Sequence, residues 1–230
     1  MLCKIADLIV EIPEAGGLPP RCRAYLTDPA EPDIIIREER YQKREWSGFK
    51  PEEIAYMGSG CVFYTDLMSF NGTMLHSSAI AYEGKAYLFS GPSGVGKSTH
   101  TRLWQQTFGD AVQVFNDDKP ALRYLDGQWF AYGTPWCGKD GINQNKKVPL
   151  AGICFLKQGP QNRIRRMEAK EAIGYILSQS LRNIQSETRM DLLLGLVDKL
   201  VRQIPIYELE NNATPESARL SYETLRQGAK

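Results

Sequence analysis

The chain has 230 residues, 42% of them hydrophobic and 24% charged, which suits one soluble domain or one domain with an appendage. Its formal net charge is +1, so the overall charge gives no reason to expect a nucleic acid or a membrane as partner. Five cysteines without a CxxC pair argue against a disulfide scaffold or a structural zinc site. The N-terminus has no signal-peptide pattern, and no apolar run approaches the roughly 20 residues that span a bilayer, so a cytoplasmic setting is expected.

Residues 1–72 are expected to form a β-rich N-terminal portion packed on the core of the protein. Three apolar runs, Ile5–Ile12, Asp33–Arg37 and Cys61–Leu67, are separated by segments rich in proline and glycine, a pattern typical of short strands. Residues 73–230 are expected to form the main domain, and the two portions are also compatible with one continuous domain.

Beyond the N-terminal portion, strand and helix patterns alternate. Met74–Tyr82 and Lys85–Ser90 predict two strands joined by a tight turn at Glu83-Gly84. A helix over Thr99–Phe108 and a short buried strand over Ala111–Phe115 follow. This pattern predicts an α/β fold with a mixed β-sheet and a helical C-terminal portion. The further predicted elements are strands at Leu122–Leu125, Gln128–Tyr132, Leu150–Leu156 and Ile204–Leu209, and helices at Ala169–Leu181, Glu187–Val201 and from Pro215 to just before Gly228.

The segment Gly91–Ser98 reads GPSGVGKS and matches the pattern GxxxxGK[ST] in full. It follows an apolar strand and opens a helix, which is the context that a P-loop requires. The glycines let backbone N–H groups point at phosphate oxygens, Lys97 would reach the β- and γ-phosphates, and the Ser98 hydroxyl would bind Mg²⁺. A glycine-rich turn with an incidental Lys-Ser pair is the alternative. The residues expected to bind ATP are Gly91, Pro92, Ser93, Gly94, Val95, Gly96, Lys97, Ser98 and Thr99.

His76 is predicted to lie at the mouth of this loop. If Glu83-Gly84 is a two-residue turn, Tyr82 pairs with Lys85, and the same register places His76 opposite Gly91. A histidine there could hold a carboxylate, sense phosphate charge or take part in proton transfer. The alternative is a polar strand residue without such a role, or a bulge that shifts the register.

An aspartate pair, Asp117-Asp118, comes shortly after the predicted strand Ala111–Phe115. An apolar strand that ends in aspartate is what a Walker B element requires, because it delivers a carboxylate from the sheet to the metal at the phosphates. Two adjacent carboxylates can point in different directions, so one can bind Mg²⁺ while the other accepts a proton from an attacking hydroxyl. That division is more typical of a kinase than of a hydrolase. An ordinary turn, to which Lys119-Pro120 would contribute, is the alternative.

A long polar loop covers Gly133–Lys147, and its length indicates either a function or disorder. Trp136 offers a packing surface, while Lys139, Lys146 and Lys147 offer positive charge near a phosphate-transfer site. We expect the loop to bind substrate or to act as a lid, with Trp136 and Lys139 as the candidate substrate contacts. A solvated connector is the alternative.

Together, His76, the Gly91–Ser98 loop and the Asp117-Asp118 pair resemble the C-terminal catalytic domain of HPr kinase/phosphorylase, over about residues 73–160. That family has the phosphoenolpyruvate carboxykinase-like form of the P-loop fold, so the resemblance implies this fold here. It also implies a histidine-assisted aspartate base that acts on a serine hydroxyl. Matching the positions makes Asp117 the base with His76 beside it, and places Asp118 and Ser98 nearer the metal.

The chain departs from that family in the Gly133–Lys147 loop, where the HPr enzymes carry a signature connected with their reverse phosphorylase reaction. Its first seventy residues also do not resemble the family's N-terminal domain. The chain is more similar to small HPr kinase-related proteins described as serine kinases, some of them associated with peptide-modifying gene clusters. The resemblance therefore implies an ATP- and Mg²⁺-dependent kinase, with residues 73–230 as the kinase domain. Its acceptor would be a serine-type hydroxyl of a peptide, a protein or a small molecule.

Two other functions remain open. One is a nucleotide-dependent regulatory module that changes conformation without transfer, which would need a metal-binding carboxylate but no second carboxylate as base. The other is a carboxykinase-like enzyme of oxaloacetate metabolism, although such enzymes are usually much longer. The sequence decides neither the acceptor nor ATP against GTP, and it is compatible with a homo-oligomer. The residues expected to act in a kinase are Asp117, His76 and Lys97 as catalytic residues, and Ser98 and Asp118 as metal ligands.

Overall fold

The strands of the protein form two sheets in a computed structural model that describes residues 1–42, 47–181 and 186–228. Three strands near the N-terminus form a small sheet, and nine others form a large one. In chain order the strands are β1 (Leu2–Ile5), β2 (Leu8–Glu11), β3 (Ile34–Ile35), β4 (Gly72–Met74), β5 (Ser77–Tyr82), β6 (Lys85–Ser90), β7 (Gln113–Asp118), β8 (Ala121–Leu125), β9 (Gln128–Tyr132), β10 (Lys147–Gln158), β11 (Arg163–Arg166) and β12 (Ile206–Asn211).

The helices lie around the large sheet and in the N-terminal portion of the chain. Among the described residues, none of them is both long and apolar enough to cross a lipid bilayer. The α-helices are α1 (Leu18–Cys22), α2 (Glu39–Gln42), α3 (Pro51–Leu67), α4 (Lys97–Phe108), α5 (Ala169–Gln179), α6 (Glu187–Gln203) and α7 (Pro215–Gly228).

The large sheet is mixed, and its long strand β10 connects β4, β8 and β9 with the remaining strands. The strand order is β4-β8-β9-β10-β6-β5-β7, with β12 also paired to β10 and β11 paired to β12. The first residues of β10 pair antiparallel with β9, whereas its later residues pair parallel with β6 and β12. The predicted α/β fold with a mixed sheet is confirmed.

Helices cover both faces of this sheet. Successive side chains of a strand point to opposite faces, and in β6 Leu88 belongs to one apolar cluster whereas Phe89 belongs to another. The cluster around Leu88 includes buried residues of α5 and α6, while the cluster around Phe89 includes buried residues of α4 and α7. The loop between β6 and α4 lies at the end of this central strand, and its residues 92–94 are exposed.

The N-terminal portion packs on one end of the large sheet through a shared apolar cluster. This cluster contains Val10 and Phe63 from the N-terminal portion together with Ala121, Tyr132 and Trp136. The small sheet contains β1, β2 and β3, and the longest N-terminal element is the 17-residue helix α3. The N-terminal portion thus supplies one wall around the residues that follow β7 and β9.

Two element predictions were wrong. Cys61–Leu67 was expected to be strand-like, but it lies in α3, which begins with Pro51 at a favoured first position and a capping interaction between Lys50 and Glu53. A short apolar run does not distinguish a strand from a buried helix segment. The predicted strand Met74–Tyr82 is interrupted, so that His76 lies between β4 and β5 rather than within a strand.

Candidate active site

The Gly91–Ser98 loop joins β6 to α4 and curls around the side chain of Lys97. Gly91 and Gly96 have φ of 142° and 105°, which a residue with a side chain adopts only with strain. Lys97 Nζ donates to the carbonyl oxygens of Gly91 at 3.0 Å and Pro92 at 3.2 Å. Gly96, at the start of α4, supplies no side-chain cap, so N–H groups of the first turn can bind an anion.

Asp117 lies at the end of β7 beside the helix that follows the loop. The Ser98 hydroxyl donates to Asp117 Oδ2 at 2.9 Å, and Asp117 is only 8% exposed. Burial lowers the pKa of the Lys97 ammonium, although the charges of Asp118 and Asp117 oppose this effect. A hydroxyl and a carboxylate oxygen thus converge next to a lysine that has no carboxylate within ion-pair distance among the described residues.

Asp118 contacts a different set of groups. Its Oδ1 is 2.9 Å from His76 Nε2, and its Oδ2 accepts a hydrogen bond from Lys119 Nζ. Burial alone would raise the pKa of Asp118, but the hydrogen bond to His76 and the charge of Lys119 lower it to about 2. The carboxylate is therefore ionised at neutral pH.

His76 is fixed by contacts on both sides of its ring and along its backbone. The second ring nitrogen, Nδ1, is 3.0 Å from Gln179 Oε1, and the backbone N–H of His76 donates to the Gln179 carbonyl at 2.8 Å. The Ser90 hydroxyl donates to the His76 carbonyl at 2.8 Å, next to the start of the glycine-rich loop. The end of α5 thus orients the imidazole toward Asp118.

The predicted hairpin register is confirmed, because Tyr82 pairs with Lys85 and the ladder runs without a shift to Ser77 opposite Ser90. His76 is one residue beyond this ladder, at the mouth of the loop.

The expected partners of the two aspartates, however, are wrong. His76 contacts Asp118 rather than Asp117, and Ser98 contacts Asp117 rather than Asp118. Side chains of adjacent strand residues point in opposite directions. The register shift between β5 and β7 therefore determines which aspartate points toward Ser98 and which points toward His76.

One cleft of about 880 Å³ is lined by His76, Lys97, Ser98, Asp117 and Asp118. The cleft brings together most of the predicted site residues, whereas Gly91, Pro92 and Val95 do not line it. It also has residues from the N-terminal portion, which no sequence motif indicated. The predicted residues that line it are His76, Ser93, Gly94, Gly96, Lys97, Ser98, Thr99, Asp117, Asp118, Trp136 and Lys139, and the residues that were missed include Gly17, Arg21, Glu52, Glu53 and Tyr56.

The Gly133–Lys147 loop contributes to the cleft differently from what its composition suggested. Trp136 is completely buried, stacks on Phe63 and donates from its indole N–H to Ser59, so its predicted role as a packing surface for substrate is wrong. The indole anchors the loop to α3 instead. Lys139 does lie at the exposed rim of the cleft. Lys146 and Lys147 contact Gln113 and Asp7 and do not line the cleft.

The fold and this site define a mixed α/β protein in which a glycine-rich strand-to-helix loop faces a histidine–aspartate pair across one cleft. A family profile described as SynChlorMet cassette protein ScmC matches residues 50–216, so the chain belongs to the ScmC family. A search of curated proteins gives no match. Among solved structures, the chain is similar to the HPr(Ser) kinase/phosphatase from Coxiella burnetii, with 13% identity, a TM-score of 0.37, and coverage of 67% of this chain and 93% of that chain.

Proposed function

We propose that the protein is an ATP- and Mg²⁺-dependent phosphotransferase that transfers the γ-phosphate to a serine-type hydroxyl of a peptide, a protein or a small molecule. The observation that carries this proposal is that two adjacent carboxylates in one cleft contact different groups. Asp117 contacts the hydroxyl of Ser98, and Asp118 contacts His76. A nucleotide switch needs the first of these contacts but has no use for the second.

The Gly91–Thr99 segment is the proposed binding site for the triphosphate. Its backbone N–H groups and Lys97 supply positive charge for the phosphates. Mg²⁺ prefers oxygen ligands and is bound in such sites through one or two carboxylates, substrate phosphates and water. Ser98 Oγ and Asp117 Oδ2, 2.9 Å apart, fit that requirement and would hold the ion. When bound, Mg²⁺ would neutralise charge that develops on the phosphates.

Asp118 is the proposed base, which reverses the roles implied by the sequence resemblance. Its carboxylate is ionised and can accept a hydrogen bond from the acceptor hydroxyl. In the transfer, the bond between the γ-phosphorus and the β–γ bridging oxygen breaks, the acceptor oxygen forms a bond to that phosphorus, and the hydroxyl proton passes to Asp118. A carboxylate with a low pKa is a weak base, which suits a loose transition state in which little nucleophile activation is needed. His76 orients this carboxylate and stabilises its charge.

The test compares two isosteric variants, Asp118→Asn and Asp117→Asn, with the wild type. We expect Asp118→Asn to bind Mg²⁺·ATP as the wild type does but to lose about 10²- to 10⁴-fold in phosphoryl transfer. Asp117→Asn should weaken the Mg²⁺-dependent part of nucleotide binding, and Lys97→Ala should impair binding and transfer together. Binding is measured by calorimetry with a non-hydrolysable ATP analogue, and transfer with γ-labelled ATP, serine and serine-containing peptides, with products identified by mass spectrometry.

Two outcomes would overturn the proposal. Full transfer activity in Asp118→Asn would remove the proposed base. Tight Mg²⁺·ATP binding by the wild type, together with a conformational change and no labelled product from any hydroxyl acceptor, would favour a regulatory module instead.

A further inference from the structure

Arg21 lies in the cleft, and only one of its guanidinium nitrogens donates to the residues that the structure describes. One guanidinium nitrogen, Nη1, donates to the carbonyl oxygens of Cys137 at 3.2 Å and Gly138 at 3.3 Å, and to Cys137 Sγ at 2.8 Å. The guanidinium carbon is 4.8 Å from the centre of the Tyr56 ring, on which the group stacks. The Tyr56 hydroxyl donates to the same Cys137 carbonyl at 2.5 Å. These contacts hold Arg21 in place, and within residues 1–42, 47–181 and 186–228 its Nη2 and Nε groups have no hydrogen-bond partner, so they can bind a ligand.

The positive charge of Arg21 has no counter-ion in the part of the chain that the structure describes. No carboxylate of those residues lies within 4.0 Å of the guanidinium. Of the carboxylates that line the cleft, all but the exposed Glu52 are engaged by other groups. Asp117 accepts from Ser98, Asp118 contacts His76 and Lys119, Asp140 pairs with Arg102, and Glu53 accepts from the backbone of Lys50. A half-buried arginine whose Nη2 and Nε edge has no partner among the described residues is suited to bind a carboxylate in two-point fashion.

Arg21 lies in the same cleft as the proposed base, and its hydrogen bonds among the described residues go to Cys137 and Gly138. Asp118 pairs with Cys137 in an isolated β-bridge, and Arg21 donates a hydrogen bond to the carbonyl of Cys137. Lys119, which contacts Asp118, also lies over the Tyr56 ring, 5.9 Å from its centre. One strand spacing of about 5 Å therefore separates Asp118 from the segment that holds Arg21. A small acceptor whose carboxylate lies close to its hydroxyl can therefore reach both side chains from the cleft that they share.

We propose that Arg21 binds a carboxylate of the acceptor while Asp118 receives the acceptor's hydroxyl. This inference rests on the proposed function, and it narrows the acceptor to a molecule with a carboxylate close to its hydroxyl. Free serine and a peptide that ends in serine both have this chemistry. Tyr56 is a positioning residue: its ring stacks on the guanidinium and keeps the Nη2 and Nε groups directed toward the acceptor.

The test compares acceptors that differ only in the carboxylate. The probes are N-acetyl-serine against N-acetyl-serinamide, and a peptide that ends in serine against its C-terminal amide and against the same peptide with the serine moved to the interior. We expect the carboxylate forms to have a kcat/KM roughly 10- to 100-fold higher. Arg21→Met should abolish that preference by raising KM for carboxylate acceptors, with KM for ATP unchanged, and Arg21→Lys should restore part of it. Free serine and the peptide arms distinguish a small molecule from a peptide terminus.

A matched control and an activity-independent readout keep the result clear. Arg23→Met removes the same charge from an exposed residue outside the cleft and should leave the preference unchanged. Binding of N-acetyl-serine and of its amide is also measured directly by ligand-observed NMR in the presence of Mg²⁺ and a non-hydrolysable ATP analogue. Carboxylate-selective binding that requires Arg21, without any transfer, would support this inference and count against the proposed function. Equal binding of both probes to the wild type, or an equal loss for all acceptors in Arg21→Met, would overturn it.

Discussion

Asp118 has an unusual backbone conformation, with φ of 124°, for a residue that is not glycine. Such conformations cost on the order of 1–3 kcal/mol and persist only where neighbouring contacts enforce them. Here the backbone N–H of Lys119 donates to Asn116 Oδ1 at 2.9 Å, and Asp118 forms its bridge with Cys137. His76 and Lys119 then fix the carboxylate. Four neighbours therefore hold one strained residue in the cleft, which is the pattern expected where function opposes local stability.

The low pKa of Asp118 predicts a pH-dependent contribution to stability. Its folded value of about 2, against an ordinary 3.8, corresponds to roughly 2 kcal/mol. Because the folded value is the lower one, this stabilisation is fully present above about pH 5 and is lost as the pH falls toward 2. We expect the difference in unfolding free energy between the wild type and Asp118→Asn to shrink over that range, as measured by urea unfolding at several pH values. A difference that stays constant from pH 6 to pH 2 would contradict the prediction.

The sequence allowed some site residues to be predicted and not others, for physical reasons. The Gly91–Ser98 loop and the Asp117-Asp118 pair are contiguous, so their chemistry is visible in the order of the residues. The partner of each aspartate depends on a register shift between β5 and β7, which no local pattern reveals. Arg21 and Tyr56 reach the cleft only because the N-terminal portion folds over it, and their contacts with Cys137 join residues 116 and 81 positions apart.

At the scale of elements, the contact between α3 and the loop after β9 shapes the end of the cleft where we propose that the acceptor binds. The apolar run Cys61–Leu67 by itself predicts a short strand, whereas its place in a 17-residue helix depends on the start at Pro51. Gly60 lies on the face of α3 that meets Trp136: a Cβ atom there would be 2.9 Å from Trp136 Cδ1. The helix therefore packs closely on the indole at a position where any side chain would have to displace it.

Two helix glycines predict stability changes of opposite sign. Gly60→Ala should destabilise the protein by about 1–2 kcal/mol, because overpacking against Trp136 outweighs the gain in helix propensity. Gly174→Ala, at an exposed position of α5 with nothing within 4 Å of the added Cβ, should stabilise it by up to about 1 kcal/mol. Both are measured by urea unfolding. If both substitutions stabilise the protein, the close approach of α3 to Trp136 is not rigid.

In the molecule as a whole, the N-terminal portion is joined to the large sheet through the tip of its first hairpin. The buried guanidinium of Arg123 donates to the Ala6 carbonyl at 2.5 Å and to the Phe70 carbonyl at 3.1 Å. The adjacent Asp7 accepts from Tyr132 at 2.7 Å and pairs with Lys147 at 2.8 Å. Burial would raise the pKa of Asp7, but these two hydrogen bonds lower it. These polar contacts join the two portions in addition to the apolar cluster that they share.

This junction predicts that the N-terminal portion and the large sheet unfold together. Cys3 and Cys22 are completely buried in the N-terminal portion, and Cys154 is completely buried in β10, so each thiol reacts only when its surroundings open. Pulsed alkylation across a urea gradient, read by mass spectrometry, should give the same midpoint for all three. Arg123→Met, which leaves two backbone carbonyls without their donor, should lower that midpoint by an equal amount at each cysteine, with a destabilisation of about 2–4 kcal/mol. Labelling of Cys3 and Cys22 at lower urea than Cys154 would instead show two units that unfold separately, with an N-terminal portion that can detach from the large sheet.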